Sequence, residues 1–355
     1  MRLLRRASDR PSRWITPWVA MRLLVVIAAG GLVWSYLLTW ELWQPRSDPP
    51  NLPLVAMLRS IQFGVPLAAA ALLAIAYPRV GATLHTLLLG LALLADQIRL
   101  QPQFVSLAIV LVAAAWSPKG LHVARWHLIS LWAWAGIHKA LSAGWATWGA
   151  HFIASATGHR GLRPVVAVAL PVCEIGLAAL ALSPRTWPLL RVAAPLFHLI
   201  AFANLVMADV SNTSVWPWNL ALAAATPLLF RSLAPGDRAP VQRSPVALAT
   251  ALVFAVYPLG FYVGASDAYL SHNLYTSNTA EASICPSGSA EAGGLCFPAF
   301  LSTLTTLNVP LPPERRLFVG WFRRTCQPGD QLRIDGISTR LSSRRTMYVA
   351  CGDAT

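Results

Sequence analysis

Several ionisable side chains stand inside runs of apolar residues, and each needs a reason to be there. A charge at membrane depth is costly unless it is paired or used. Asp96 closes one such run and is followed by Gln97, Arg99 and Gln101. His138 and Lys139 close another, Glu174 sits inside a third, and His198 shares a helical stripe with Phe202, Leu205 and Asp209 in a fourth. An amine, an imidazole and carboxylates are the groups of proton-transfer chemistry. Lysine is the informative type: of 28 basic residues only Lys119 and Lys139 are not arginine, and arginine cannot act as a base. Each group also has a structural alternative. Lys139 could snorkel to an interface, His198 could bond a neighbouring carbonyl, Asp96 could cap the next turn, and Glu174 could be protonated between helices. Trp216 and Trp218 also read as an aromatic belt. Depth is what the groups share, and on that ground Asp96, Lys139 and His198 are expected to line one cavity.

The elements that must position them are membrane helices. The sequence is 55% hydrophobic and 12% charged, against roughly a quarter charged in soluble domains. Apolar runs long enough for a bilayer are read at 18–42, 54–77, 80–96, 104–117, 121–141, 161–183, 186–208, 216–231 and 246–264. The segment 142–160, with Gly144, Trp145, Trp148, Gly149, His151 and Phe152, is too broken for a span and reads as interfacial or re-entrant. The expected fold is therefore an all-α polytopic membrane bundle of about nine transmembrane helices over 1–264. A small β-rich extracytoplasmic domain is expected over 265–355, with strands near Gln331–Ile334 and Thr346–Val349 rather than helices.

The net charge of +14 does not imply nucleic acid, because the basic residues lie between apolar runs and set topology. Arg2, Arg5, Arg6, Arg10 and Arg13 put the N-terminus in the cytoplasm of a multi-pass cell-membrane protein. Nine crossings then put the tail outside. Cys285, Cys296, Cys326 and Cys351 agree, since an even cysteine set in a polar stretch suits an oxidising compartment. Of the three connectivities open to four cysteines, the sequence-near one, Cys285–Cys296 with Cys326–Cys351, is expected. No phosphate loop, zinc signature or nucleophile elbow occurs, so no metal is expected. His122 and His127 read as packing or headgroup contacts.

The run Trp134-Ala135-Gly136-Ile137-His138-Lys139-Ala140-Leu141, followed by Trp145 and Gly149, resembles the vitamin K-dependent γ-carboxylase family and its bacterial relatives, the horizontally transferred transmembrane domain (HTTM) proteins. Asp96-Gln97 with Gln101-Pro102, Phe197-His198, Trp216-Pro217-Trp218-Asn219, and Tyr269-Leu270-Ser271 with Leu274-Tyr275 resemble further stretches of that family, in the same order. Two features depart from it. Leu100-Gln101-Pro102-Gln103 stands where the animal enzymes have Trp-Asn-Asn-His, and the tail is far shorter than their lumenal domains.

The resemblance implies a lyase-type membrane enzyme, a carboxylase and epoxidase, in which Lys139 deprotonates a reduced naphthoquinone of the vitamin K type. Oxygen chemistry on that cofactor then drives carboxylation of glutamate. It implies catalytic roles for Lys139 and His198, and cofactor contacts from Asp96, Gln101, Trp134 and Trp218. The partners it implies are the lipid bilayer, a quinone and a secreted peptide, with no nucleic acid. Such a lysine must be neutral, and burial among Trp132 and Trp134 favours the neutral amine; a neutral amine contributes little stability, so Lys139→Ala is expected to fold normally. Two other classes compete. One is a non-catalytic helper for maturation or export of a secreted peptide; the other is a redox partner like the DoxX and MauE proteins. The redox reading needs a reactive intramembrane cysteine pair, and only Cys173 lies in an apolar run.

Overall fold

The computed structural model describes residues 16–208, 212–231, 245–286, 296–341 and 345–352. Asp209 and the basic residues at 2–13, 238 and 243 lie outside them.

Each of the nine apolar runs contains a helix: α1 (Pro17–Leu38), α2 (Gly64–Ala76), α3 (Pro78–Ala95), α4 (Pro102–Trp116), α5 (Leu121–Leu141), α7 (Arg163–Ala181), α8 (Trp187–Met207), α9 (Trp216–Leu229) and α10 (Pro245–Val256). Proline punctuates them. It opens α1, α3, α4 and α10, where its missing N–H costs nothing. Four of the helices, α1, α3, α7 and α8, are long and apolar enough to cross a membrane. α7 and α8 expose Val165, Val168, Val172, Val192, Leu196 and Ile200, a face that suits hydrocarbon better than water. α2 and α4 are apolar but shorter.

α5, at 21 residues, is as long as these candidate spans, yet it carries His122, Arg125, His127, His138 and Lys139, all buried. It can do so because it is surrounded. α4, α7, α9 and α10 all pack on it, so its polar groups meet protein rather than lipid.

The segment after α5 does not continue outward. Ser142 Oγ accepts from the Trp145 backbone N–H at 3.1 Å and opens a π-helical turn at Trp145–Gly149. A short helix, α6 (Ala150–Ala156), follows. Both are too short to span.

The tail differs from its expectation. It does form an antiparallel sheet of β1 (Glu281–Cys285), β2 (Phe297–Pro298), β3 (Gln331–Asp335) and β4 (Thr346–Ala350), in the order β2-β1-β3-β4. It also has two helices, α11 (Ala299–Leu307) and α12 (Arg315–Thr325), that the strand reading missed. In α12, Leu317, Phe318, Trp321 and Phe322 are buried, a helical period that the surrounding Gly and Pro obscured. Cys285 and Cys296 lie at bonding distance, 2.10 Å, as do Cys326 and Cys351, 2.02 Å, consistent with sequence-near pairing.

The tail is tied back to the bundle by polar contacts. Gln101 Nε2 donates to the Pro310 carbonyl, Asn308 Nδ2 to that of Leu38, and the Arg340 N–H to that of Leu141, each at 2.9–3.0 Å. Bundle and tail share one continuous apolar core, from Ala20 to Ile334.

Candidate functional site

The Ala-Gly-x-x-Lys stretch works through a close helix crossing. A Cβ on Gly136 would sit 2.8 Å from the Pro171 carbonyl oxygen, 2.7 Å from Ile175 Cγ1 and 3.2 Å from Glu174 Cβ. Only glycine lets α7 approach α5 this closely. The contacts run antiparallel, Gly136 against Pro171–Ile175 and Trp145 against Ala167. Helical side chains lean toward their own N-terminus, so on antiparallel neighbours Lys139 and Glu174 lean toward each other. Lys139 Nζ reaches both carboxylate oxygens of Glu174, at 2.8 and 2.9 Å, and folds back to the Ala135 carbonyl at 3.4 Å. It lies 5.5 Å from the centre of the Trp145 ring. Lys139 is 4% exposed and Glu174 6%. The lysine therefore does not snorkel.

Two further devices fix this centre. Pro171, inside α7, has no N–H to give the carbonyl four residues earlier. That carbonyl, of Ala167, accepts the Trp145 indole N–H at 2.9 Å instead. A Cβ on Gly149 would meet the Trp145 ring at 2.3 Å, so glycine there makes room for the indole. Lys139, Trp145, Gly136 and Gly149 are thus one assembly with Glu174 and Pro171.

His198 belongs to a different network. Trp132 Nε1 donates to His198 Nε2 at 3.2 Å, which leaves Nδ1 to donate to Asn219 Oδ1 at 3.1 Å; Asn219 Nδ2 donates to the Val215 carbonyl at 3.0 Å. Both ring nitrogens are engaged, and the tautomer follows.

Asp96 caps the turn after α3. Its Oδ1 accepts the backbone N–H groups of Leu52 at 3.0 Å and Ile98 at 3.2 Å, and its Oδ2 takes the Arg46 guanidinium. Arg99 lies 3.9 Å away. Gln101 divides its amide N–H groups between the Ile98 and Pro310 carbonyls. Trp134 Nε1 donates to the Ala255 carbonyl at 3.2 Å, fastening α10 to α5. No hydrogen bond, ion pair or ring contact joins Asp96, Lys139 and His198 to one another. Their common depth did not bring them together.

On another stripe of α5, His138 anchors a segment that folds back after α10. Its Nε2 faces the Ser271 carbonyl at 2.9 Å and its Nδ1 the Tyr262 hydroxyl at 2.7 Å. Ser142 Oγ donates to the Ser277 carbonyl at 2.7 Å. His272, Tyr275 and Ser277 all adopt left-handed φ, 61°, 54° and 54°, a strained state for such residues. His272 packs ring to ring with His127 at 5.3 Å, and both line a cavity together with Trp218. The expectation that His127 serves only packing or headgroup contact missed this cavity. The repeat of His127, Leu131, Trp134 and His138 at helical spacing was its one trace in the sequence. Among the described residues no group of three or more His, Cys, Asp or Glu is arranged to hold a metal.

No protein-family model, curated protein or solved structure matches the chain.

Proposed function

We propose that this chain is an integral membrane enzyme of the kind the Lys139 stretch resembles, with Lys139 and Glu174 as its proton-transfer pair. The observation that carries this reading is the buried bidentate contact between them. Among the described residues Glu174 accepts no hydrogen bond besides the two from Lys139. A proton can therefore pass from ammonium to carboxylate and leave a neutral amine, which a dry site tolerates better than separated charges. The neutral amine is the base. Trp145 covers the amine with its ring and Gly136 keeps the two helices close enough for the transfer.

In topology the proposal keeps nine crossings, the N-terminus in the cytoplasm and the disulfide-bearing tail outside. The disulfide-distance cysteine pairs and the four long apolar helices support it.

The resemblance assigns to this chemistry a reduced naphthoquinone, which would supply an acidic hydroxyl and, with oxygen, oxidising power. The residues at Lys139 do not make room for it. The amine is enclosed by Glu174, the Ala135 carbonyl and the Trp145 ring, and Lys139 is only 4% exposed. No step is derived through that cofactor at Lys139. A second reading, the non-catalytic helper, is favoured by the fully engaged nitrogens of His198.

Oxygen uptake by the purified chain supplied with reduced menadione separates the two. The enzyme reading expects uptake in wild type and its loss in Lys139→Arg, because guanidinium keeps the charge but yields no neutral base; since the quinone does not fit beside Lys139 in this structure, that reading also requires the enclosure around the amine to open. Absence of uptake in wild type, or its persistence in the arginine variant, favours the helper.

A further inference from the structure

Between the end of α10 and the tail lies another cavity, of about 700 Å³. α10 runs on as a 3₁₀ segment, Tyr257–Val263, and Gly264, left-handed at φ 74°, turns the chain away from it. The turn at 264–267, the first turn of α12 and the facing ends of β3 and β4 wall the cavity. Phe261, Ile334, Ile337 and Met347 supply its apolar part. Its size is ordinary for a small-molecule site.

Five charged side chains line it: Asp267, Glu314, Arg315, Arg316 and Arg345. Three of them are engaged. Arg316 donates to Asp267 Oδ1 at 2.7 Å and to Gln97 Oε1 at 3.1 Å, and Glu314 Oε1 accepts the Ala268 N–H at 2.7 Å. Arg315 and Arg345 differ: among the described residues neither guanidinium makes a hydrogen bond or ion pair. Both are exposed, but both start from fixed backbone. Arg315 opens α12, and the Arg345 carbonyl accepts the Gly336 N–H at 2.8 Å where β4 joins β3. A lone exposed arginine needs no explanation. Two unpaired ones in the wall of a single half-apolar cleft form an arrangement that recognises an anion. Three arginines against two carboxylates leave the wall a formal charge of +1.

We propose that this cleft binds a phosphodiester anion, held by Arg315 and Arg345, with its carbon substituents against Phe261, Ile337 and Met347. The planar guanidinium fork matches two phosphate oxygens at once. The single negative charge of a phosphodiester balances the wall, whereas the dianion of a phosphate monoester would exceed it. Leu259 and Val263, on the same segment as Phe261, are 52% and 81% exposed, so the cleft borders apolar surface. Two sources share this chemistry, the headgroup of a membrane phospholipid and a soluble glycerophosphodiester. The inference rests on the packing of the tail against the bundle, and not on chemistry at Lys139.

The test is titration of the full chain in dodecyl maltoside with dioctanoyl phosphatidylglycerol, with bound equivalents read by native mass spectrometry. One saturable equivalent is expected. Arg315→Gln and Arg345→Gln should each weaken binding about fivefold, the upper end for an exposed ion pair, and the double variant about 25-fold. Arg323→Gln with Arg324→Gln removes the same charge from the last turn of α12, outside the cleft, and should bind as wild type does. Lys139→Arg should also bind normally, whether or not oxygen uptake is seen. Competition by glycerophosphoglycerol, the same headgroup without acyl chains, at comparable concentration identifies a soluble phosphodiester as the ligand. Its failure to compete, with saturable lipid binding intact, identifies a phospholipid headgroup. Absent or non-saturable binding in wild type, equal binding by wild type and the Arg315, Arg345 double, or an equal loss in the Arg323, Arg324 double overturns the proposal.

Discussion

Asp96 and Glu174 are both carboxylates buried against a cation, but their surroundings differ. Asp96 takes two backbone N–H groups on one oxygen and Arg46 on the other, with Arg99 beside it. Glu174 has Lys139 alone. Around Asp96, backbone donors hold the anion wherever the side chains go, and the carboxylate ties the 46–52 loop to the end of α3. Around Glu174 the arrangement depends on one side chain, Lys139. The difference separates a carboxylate held by backbone and side-chain donors together from one held by a single side chain.

The largest effect should come from breaking the first of these. Asp96→Ala leaves two N–H groups without their acceptor and Arg46 and Arg99 without their counter-charge. Removing one partner of a buried pair costs about 3–5 kcal/mol, so this variant should not accumulate as a monodisperse folded protein in detergent. Lys139→Ala and Glu174→Ala should each lose stability on the same scale. This revises the expectation from sequence that Lys139→Ala folds normally; that expectation assumed a lone neutral amine. The contrast appears in the doubles. Lys139→Leu with Glu174→Leu removes both charges and should regain most of the stability, because apolar replacement of a buried pair is often neutral. Asp96→Leu with Arg46→Leu should not regain it, since the Leu52 and Ile98 N–H groups stay unsatisfied and Arg99 loses its counter-charge. Thermal unfolding of the two doubles beside wild type and the Lys139→Ala and Glu174→Ala singles measures this. Equal rescue in both doubles would erase the distinction.

A smaller effect should follow from moving the helices rather than the charges. Gly136→Ala puts a methyl within 2.8 Å of the Pro171 carbonyl oxygen, and overpacking of this kind costs about 1–3 kcal/mol. The pair must lengthen as α7 withdraws, so any oxygen uptake should fall more than stability does. An alanine variant with wild-type uptake would show that the close crossing is not needed for proton transfer.

How much of this was legible in the sequence follows from what each signal reports. Apolar length placed the helices, because burial of a nine-run pattern leaves little choice, and proline marked several starts. Depth also placed Lys139 and Glu174 correctly inside the bundle, but depth carries no information about azimuth. Asp96, Lys139 and His198 were grouped by depth and lie in three separate networks. The Lys139–Glu174 pair could have been anticipated as opposite charges on helices that pack antiparallel. The His127 cavity could not, since His272 reaches it through a left-handed turn beyond α10, and no local periodicity encodes that return. In the tail, short alternating pieces revealed β3 and β4, while glycine and proline concealed α11 and α12.

The smallest expected effect sharpens the comparison with a third carboxylate, Glu314, at the start of α12. It has one backbone donor, the Ala268 N–H at 2.7 Å, and so stands between Asp96 with two and Glu174 with none. Burial pushes its carboxyl above the ordinary value of 4.5; the Ala268 N–H opposes this, nearby Asp267 adds to it, and Arg316 offsets it. A carboxyl raised in the folded state binds more protons folded than unfolded. Its contribution to stability is therefore complete below pH 4.5 and is lost as pH rises through the folded value. Glutamine keeps an acceptor for Ala268 and does not titrate. The difference in stability, wild type minus Glu314→Gln, should then decline from pH 4.5 upward and level off once the folded group is ionised. The slope must stay below about 1.4 kcal/mol per pH unit, and partial exposure of the side chain reduces it further. Thermal midpoints of both proteins between pH 4.5 and 7.5 give the difference directly. A decline shows that burial at Glu314 outweighs its one backbone donor. A difference that rises with pH would mean that one backbone N–H is enough to hold this carboxylate charged against the direction that burial sets.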